Sequence, residues 1–330
     1  MKERVLITGA SGFVGHHLVE AALQAGLEVY AVVRPSSDVA HLQSFDIRYT
    51  SLDFADTDAL VKELEEKQYH YIIHAAGITK AKTEKEYNRV NADYTRNLAL
   101  AATKAGIPLK KFVFISSLAA LGPVLYNEAT PIHEQIEAHP VTAYGKSKLL
   151  AEQYLSELED LPLVVLRPTA VYGPRERDIF IILKTLNLGL EPYISHKPQW
   201  LSFVYVKDLA RAVIQALGTG ISRASYNVSD GNSYNRYALA TITKRILGKK
   251  SIRIHVPMGV MNVMARLLEA AYAASSKMPV LNKEKLNELA AENWNCSIDR
   301  IREDLGFVPE YNLEKGLEHT LRWYKENNWL

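Results

Sequence analysis

Short apolar runs alternate with longer amphipathic ones through the first half of the chain. Val5-Leu6-Ile7, Val29-Tyr30-Ala31-Val32-Val33, Tyr71-Ile72-Ile73, Phe112-Val113-Phe114-Ile115 and Leu163-Val164-Val165-Leu166 are unbroken hydrophobic stretches. Each is too short for a helix and suits a strand buried on both faces. Between them, Gly15 to Ala25, Asp56 to Lys67, Glu84 to Ala105 and Tyr144 to Glu159 carry helical spacing. Strand and helix in alternation predict an α/β fold, a doubly wound parallel sheet covered by helices on both faces. After Gly173-Pro174 the alternation loosens. Phe203 to Leu217 returns to strand and helix, Tyr226-Asn227-Val228 reads as one more strand, and a helix-rich third begins near Tyr234. The pattern divides the chain into a sheet domain over 1–173, rejoined by 203–230, and a smaller, mostly helical substrate domain over 174–202 and 231–330.

The bulk properties narrow the function classes. With 330 residues, 48% of them hydrophobic, the chain can bury a sizeable core. Thirty-nine basic side chains against 37 acidic ones leave a formal charge of +2, which offers no field for wrapping nucleic acid. The pairs Lys110-Lys111 and Lys249-Lys250 read as solvated surface. Cys296 is the single cysteine, so no intrachain disulfide can form and a reducing, cytoplasmic setting is expected. No metal site is read from the sequence. The apolar start Val5-Leu6-Ile7 is too short for a secretion signal. Val256 to Ala274 is apolar but interrupted by Asn262, Arg266 and Glu269. It reads as an amphipathic helix packed on the protein, with no peripheral membrane contact expected.

Candidate chemistry begins directly after the first strand, where Thr8-Gly9-Ala10-Ser11-Gly12-Phe13-Val14-Gly15 leads into a helix. Strand, glycine turn and helix in that order form a dinucleotide cradle. Glycines permit the tight turn and let the backbone approach a pyrophosphate, and the helix N-terminus supplies unpaired N–H groups. This makes the sheet a Rossmann sheet. At the end of the second strand, where an NAD-selective site carries Asp or Glu, the run is Val32-Val33-Arg34-Pro35. Arg34 suits a ribose phosphate, which favours NADP(H), with NAD(H) still possible; an Arg34 that only points to solvent is the bland alternative.

Tyr144-Gly145-Lys146-Ser147-Lys148 opens a helix on which Tyr144 and Lys148, four apart, share a face. A phenol near an ammonium and an oxidised nicotinamide is drawn toward its ionised form, and when protonated it donates to a carbonyl oxygen. Ser116-Ser117 closes the fourth apolar strand, and a serine hydroxyl there, Ser117 by preference, can orient the substrate oxygen.

Together these segments, with His74-Ala75-Ala76-Gly77, Asn91, Asn97 and Arg167 to Pro174, resemble the extended short-chain dehydrogenases/reductases of the NAD-dependent epimerase/dehydratase family over essentially the whole chain. The resemblance implies that Ser117, Tyr144 and Lys148 form the catalytic triad, with Lys148 also holding the nicotinamide ribose. It further implies that Gly9, Ser11, Gly12, Phe13, Val14 and Gly15 hold the dinucleotide with Arg34. Asp53 and Phe54 would contact adenine, Ala75, Ala76, Gly77 and Asn91 the central part of the cofactor, and Pro168 and Val171 the nicotinamide amide. A homodimer through the helices around 84–105 and 144–159 is the family expectation.

Departures within the family bear on the reaction. Sugar-nucleotide dehydratases carry an Asp-Glu pair after the catalytic hydroxyl residue, where this chain has Leu118 and Ala119. Two positions that contact a substrate diphosphate in sugar-nucleotide enzymes are Ala170 and Leu201 here, although Arg175 and Arg177 lie close by in sequence. Arg167 to Pro174 and Phe203 to Val206 are more similar to the 3β-hydroxysteroid dehydrogenase and dihydroflavonol-4-reductase branch. There an apolar C-terminal domain closes over a hydrophobic alcohol or ketone. The stripe from Met258 to Leu268 would suit such a lid, or plain core. The sequence thus favours an NADP(H)-preferring oxidoreductase acting on a small or medium apolar alcohol/ketone pair, over a nucleotide-sugar epimerase and over a non-catalytic NADP(H) sensor. Substrate identity is assigned to loops 121–139, 175–199 and 258–281.

Overall fold

The computed structural model describes residues 2–272 and 283–330, so 273–281 of the last expected specificity loop lie outside the described residues. The first half runs β1 (Arg4–Thr8), α1 (Phe13–Gln24), β2 (Glu28–Val32), β3 (Arg48–Thr50), α2 (Thr57–Lys67), β4 (Tyr71–His74), α3 (Glu84–Asn88), α4 (Tyr94–Lys104), β5 (Lys111–Ile115), α5 (Ala143–Ser156) and β6 (Leu163–Pro168). The second half continues with β7 (Ala170–Tyr172), α6 (Asp178–Asn187), β8 (Leu190–Ile194), β9 (Trp200–Leu201), β10 (Phe203–Tyr205), α7 (Val206–Gly218) and β11 (Ala224–Val228). It ends with β12 (Tyr234–Asn235), α8 (Ala238–Leu247), β13 (Ile252–Val256), α9 (Met258–Ala271), α10 (Lys283–Ala290), α11 (Asp299–Leu305) and α12 (Leu313–Glu326).

Seven strands join in the order β11-β6-β5-β4-β1-β2-β3, every neighbouring pair parallel. Every residue of β5 and β6 is buried, because successive side chains face opposite sides and both sides are covered. Val5, Ile7, Ala31, Ile73, Val113 and Val164 pack with α1, α7 and α11 on one face. Leu6, Tyr30, Ile72, Phe112, Phe114 and Val165 pack with α2, α4 and α5 on the other. Fully burying such an apolar side chain is worth roughly 1.5–3 kcal/mol. Chain order reverses between β1 and β4, which opens a crevice at the carboxyl ends of the strands.

Four features differ from the pattern reading or fall outside it. The helix expected over 84–105 is broken by a wide turn at Arg89–Asp93, where Asn91 is held against the loop after β4. Strand β3, Arg-Tyr-Thr at the sheet edge, has no apolar run to announce it. The second half also contains three two-stranded pairs, β7 with β10, β9 with β12 and β8 with β13, beside a core of Tyr172, Leu183, Phe203, Leu317 and Tyr324. Finally, α9 packs on α10 but is only partly covered. Of its residues only Ala265 is buried, and Val260, Val263, Met264 and Leu267 are exposed. Among the described residues no helix is long and apolar enough to cross a membrane.

Candidate active site

The glycine turn is shaped by close backbone approach. Gly9 has φ +70°, and a Cβ there would meet the Ala75 carbonyl oxygen at 2.7 Å, so only glycine fits. A Cβ on Gly15 would fall on the Gly9 carbonyl oxygen. The Gly12 amide donates to that same oxygen at 2.9 Å, and Gly12 opens α1 with no side-chain cap. The first amides of α1 are therefore left for another acceptor, and the residues present fit a pyrophosphate.

A buried relay ties this turn to β4. Thr95 Oγ1 donates to the Asn91 carbonyl at 2.7 Å and lies 2.9 Å from His74 Nε2. The imidazole therefore carries its proton on Nε2, and Nδ1 accepts from Thr8 Oγ1 at 2.7 Å. Thr8 Oγ1 in turn accepts from the Ala76 amide at 3.0 Å. Burial, with the Lys148 charge behind it, pushes the His74 pKa down to about 3, so the ring is neutral. Asn91 accepts from the Ile78 amide at 2.8 Å and donates to the Ile78 carbonyl and Ser147 Oγ, each at 3.0 Å. It fixes the loop after β4 against α5 and does not line the cavity.

A cavity of about 220 Å³ at the strand ends brings together Val14, Ala75, Gly77, Ser117, Tyr144, Lys148, Pro168 and Val171 of the expected set. Thr169, inside the expected strand end from Pro168 to Val171, lies on the same wall, and sequence reasoning missed Thr79 and Leu209 there. Thr79 follows the recognised segment Ala75-Ala76-Gly77, which is the signal that could have found it. Gly9, Ser11, Gly12, Phe13, Gly15 and Ala76 form the adjoining turn and loop. Arg34 is exposed on the loop after β2 and pairs with no carboxylate among the described residues. Asp53 holds a local turn by accepting from the Ala55 amide, and the Phe54 ring stacks near Tyr94 and His74.

The two serines separate. Ser116 Oγ bonds the Glu152 carboxylate, which Arg167 grips through Nε at 3.1 Å and Nη2 at 2.6 Å. Ser117, extended, caps the turn Leu118–Ala120, and its hydroxyl bonds the Tyr144 phenol. Ser117 is therefore the serine that meets the tyrosine.

Thr142 caps α5 by accepting from the Gly145 amide at 3.0 Å, which starts the helix at the position that presents Tyr144. Burial pushes the Tyr144 pKa up to about 12, with Glu288 and Tyr87 adding and the Ser117 hydrogen bond opposing. Lys148 is not among the groups that shift this phenol. Lys148 Nζ instead donates to the Ile115 carbonyl at 2.8 Å and sits 4.7 Å from the Phe114 ring centre. Burial lowers its pKa to about 8, with Glu152 opposing. Glu288, on α10, carried no motif in the sequence. Leu118 is buried and Ala119 partly so, and neither can move a proton. Ala170 is exposed in β7 and Leu201 pairs with Tyr234 in β9. Arg175 lies over the Trp323 ring and does not line the cavity.

A model of the NAD dependent epimerase/dehydratase family matches residues 5–229. Ceramide reductase of Caulobacter vibrioides is 28% identical over 99% of this chain and 96% of its own length. The N-acetyl-alpha-D-glucosaminyl-diphospho-ditrans,octacis-undecaprenol 4-epimerase of Escherichia coli O157:H7 is 27% identical over 98% and 96%. The solved UDP-glucose 4-epimerase of Thermotoga maritima, with UDP-glucose, superposes with a TM-score of 0.80 at 21% identity, covering 98% and 99% of the two chains.

Proposed function

The chain belongs to the NAD-dependent epimerase/dehydratase family, extended short-chain dehydrogenases/reductases, and from that premise we propose that it is an NADP(H)-preferring reductase of an apolar ketone. The observation that carries this reading is the wall of the cavity. Around Ser117 and Tyr144 it is built from Ile115, Leu209, Thr79 and Thr169, beside Val14, Pro168 and Val171 on the side given to the cofactor, and no arginine or carboxylate lines it among the described residues. A diphosphate would meet Lys148 alone, and that ammonium is already bonded to Ile115. An uncharged substrate suits such a wall. The likeness to a ceramide reductase supports the same reading.

In this proposal Gly9, Ser11, Gly12, Phe13, Val14 and Gly15 hold the pyrophosphate, Arg34 the additional ribose phosphate, and Asp53 and Phe54 the adenine end. Ala75, Ala76 and Gly77, set by Asn91, flank the centre of the cofactor, Lys148 the nicotinamide ribose, and Pro168 and Val171 the nicotinamide amide. When bound, the nicotinamide supplies the hydride. Tyr144, protonated at neutral pH because burial holds its pKa near 12, donates its proton to the substrate oxygen. Ser117 orients that oxygen through the hydroxyl that also bonds the phenol.

The test is substrate-dependent loss of nicotinamide absorbance with NADPH or NADH and a panel of apolar ketones. A faster rate with NADPH, reduced about 10²–10⁴-fold in Tyr144→Phe, is the expected result. Relatives named as epimerases give a second reading some weight. Isomerisation of a nucleotide sugar with no net change in cofactor would establish that reading and overturn the first. Tight NADPH binding without turnover on either substrate class would point to a sensor.

A further inference from the structure

Strands β8 and β13 form a ribbon that is turned inside out. In register, Leu190 faces Ile252 and Pro192 faces Ile254 on one side, while Glu191 pairs with Arg253 on the other. On the polar side Glu191 is covered, while the Arg253 side chain stays 43% exposed. Glu191 accepts there from Lys244, Ser251 and Arg253. The apolar side is the outer one, with Leu190 44%, Ile252 70% and Ile254 43% exposed. Helix α9 follows the ribbon after Pro257 and repeats the inversion. Val260, Val263, Met264 and Leu267, at i, i+3, i+4 and i+7, form a single stripe, and all four are exposed.

Charge identifies what this face meets. From Lys244 to Ala271, the end of α9, the chain contains six lysines and arginines, Lys244, Arg245, Lys249, Lys250, Arg253 and Arg266, against one carboxylate, Glu269. Lys244 and Arg253 bind Glu191, and Arg245 binds Glu314. Lys249, Lys250 and Arg266 are exposed and meet no carboxylate among the described residues. Lys250 lies at the Gly189 end of the ribbon, where its carbonyl would be 3.6 Å from a Cβ on Gly189. An apolar surface beside unpaired cations complements a bilayer with anionic headgroups. A second copy of the chain fits poorly, because a twofold contact through this face would bring the same cations together.

We propose that the outer face of the β8–β13 ribbon and the exposed stripe of α9 dock this enzyme on the surface of an anionic lipid bilayer. Lys249, Lys250 and Arg266 then meet the headgroups, while Ile252 and Val263 enter the interface.

The full chain is sedimented with vesicles of phosphatidylcholine alone and of phosphatidylcholine containing phosphatidylglycerol. Binding to the anionic vesicles only is expected, weakened at least about tenfold in Lys249→Glu/Lys250→Glu and abolished in Ile252→Asp/Val263→Asp. Unchanged thermal melting shows that both variants are folded. Equal binding to both vesicles, or to neither, overturns the proposal. So does a dimer in solution that Ile252→Asp/Val263→Asp dissolves, which would make this a self-association face. The readout is lipid binding, so it is independent of the reductase reading.

Discussion

The strand ends around Tyr144 and the ribbon with α9 use the same kinds of residue in opposite ways. At the strand ends polar groups are buried and fully engaged: His74 between two threonines, Glu152 between Arg167 and Ser116, Asn91 against Ile78 and Ser147. On the ribbon the apolar groups are outside and the ionic cluster of Glu191 is inside. Where buried polar groups are tied together, each one determines where the next can sit, and positions are fixed to the precision chemistry needs. Where an apolar face is left outside, the fold gains nothing from those side chains, so they are available to another surface.

The largest effect expected from deleting one partner of an ion pair sets a buried pair at the strand ends against an exposed pair between α8 and α12. Arg167 and Glu152 are 9% and 8% exposed, so Glu152→Ala leaves a buried guanidinium unpaired and should lower stability by about 3–5 kcal/mol in denaturant titrations. Arg245 and Glu314, at 63% and 44% exposure, are 2.7 Å apart, and Glu314→Ala should cost less than about 1 kcal/mol. Similar losses for both would show that burial does not divide the molecule as drawn here.

Next in size is Gly15→Ala. The added methyl meets the Gly9 carbonyl oxygen, part of a backbone that cannot swing aside. Overpacking of this kind costs about 1–3 kcal/mol, and the displaced turn should lose most of its affinity for NADPH, measured by fluorescence titration. Gly259, on α9, has nothing within 4 Å of a Cβ, and Gly259→Ala should leave NADPH affinity unchanged and raise stability by up to about 1 kcal/mol.

The same division explains what could be read from the sequence. Strands β5 and β6 are buried on both faces, so their residues are apolar without interruption, and the sheet, its glycine turn and the Tyr144/Lys148 spacing were all legible from local pattern. The choice between Ser116 and Ser117 rested on resemblance, because it depends on Glu152, 36 residues away. Strand β3 went unseen because Arg48, Tyr49 and Thr50 bury little. The ribbon escaped because Glu191 and Arg253 are 62 residues apart, and its outward apolar residues imitate core. The stripe of α9 misled for the same reason: periodicity shows that a helix has an apolar face and is silent on what that face meets.

A pH profile tests whether burial controls the site. Lys148 falls from 10.5 to about 8, so its ammonium is present below pH 8 and lost above it, while Tyr144, near 12, keeps its proton throughout. If the ammonium holds the cofactor ribose, kcat/KM for reduction should be level to about pH 8 and then fall about tenfold per unit, equivalent to about 1.4 kcal/mol. A profile level to pH 10 would remove Lys148 from that role.

The smallest expected effect is at Ile252. Its side chain is 70% exposed on the outer side of the ribbon, and a carboxylate there would be hydrated as well in the folded chain as in the unfolded one. Ile252→Asp should therefore change stability by less than about 0.5 kcal/mol. Val164, fully buried in β6 between β5 and β11, offers the contrast. Val164→Asp places a charge where neither water nor a cation reaches it, and the chain should fail to fold. Both substitutions remove a β-branched residue from a parallel strand, so strand propensity largely cancels and the difference reports burial alone. A large loss at Ile252 would mean that this face is already covered in the free protein, and the contrast between the two regions would fall with it.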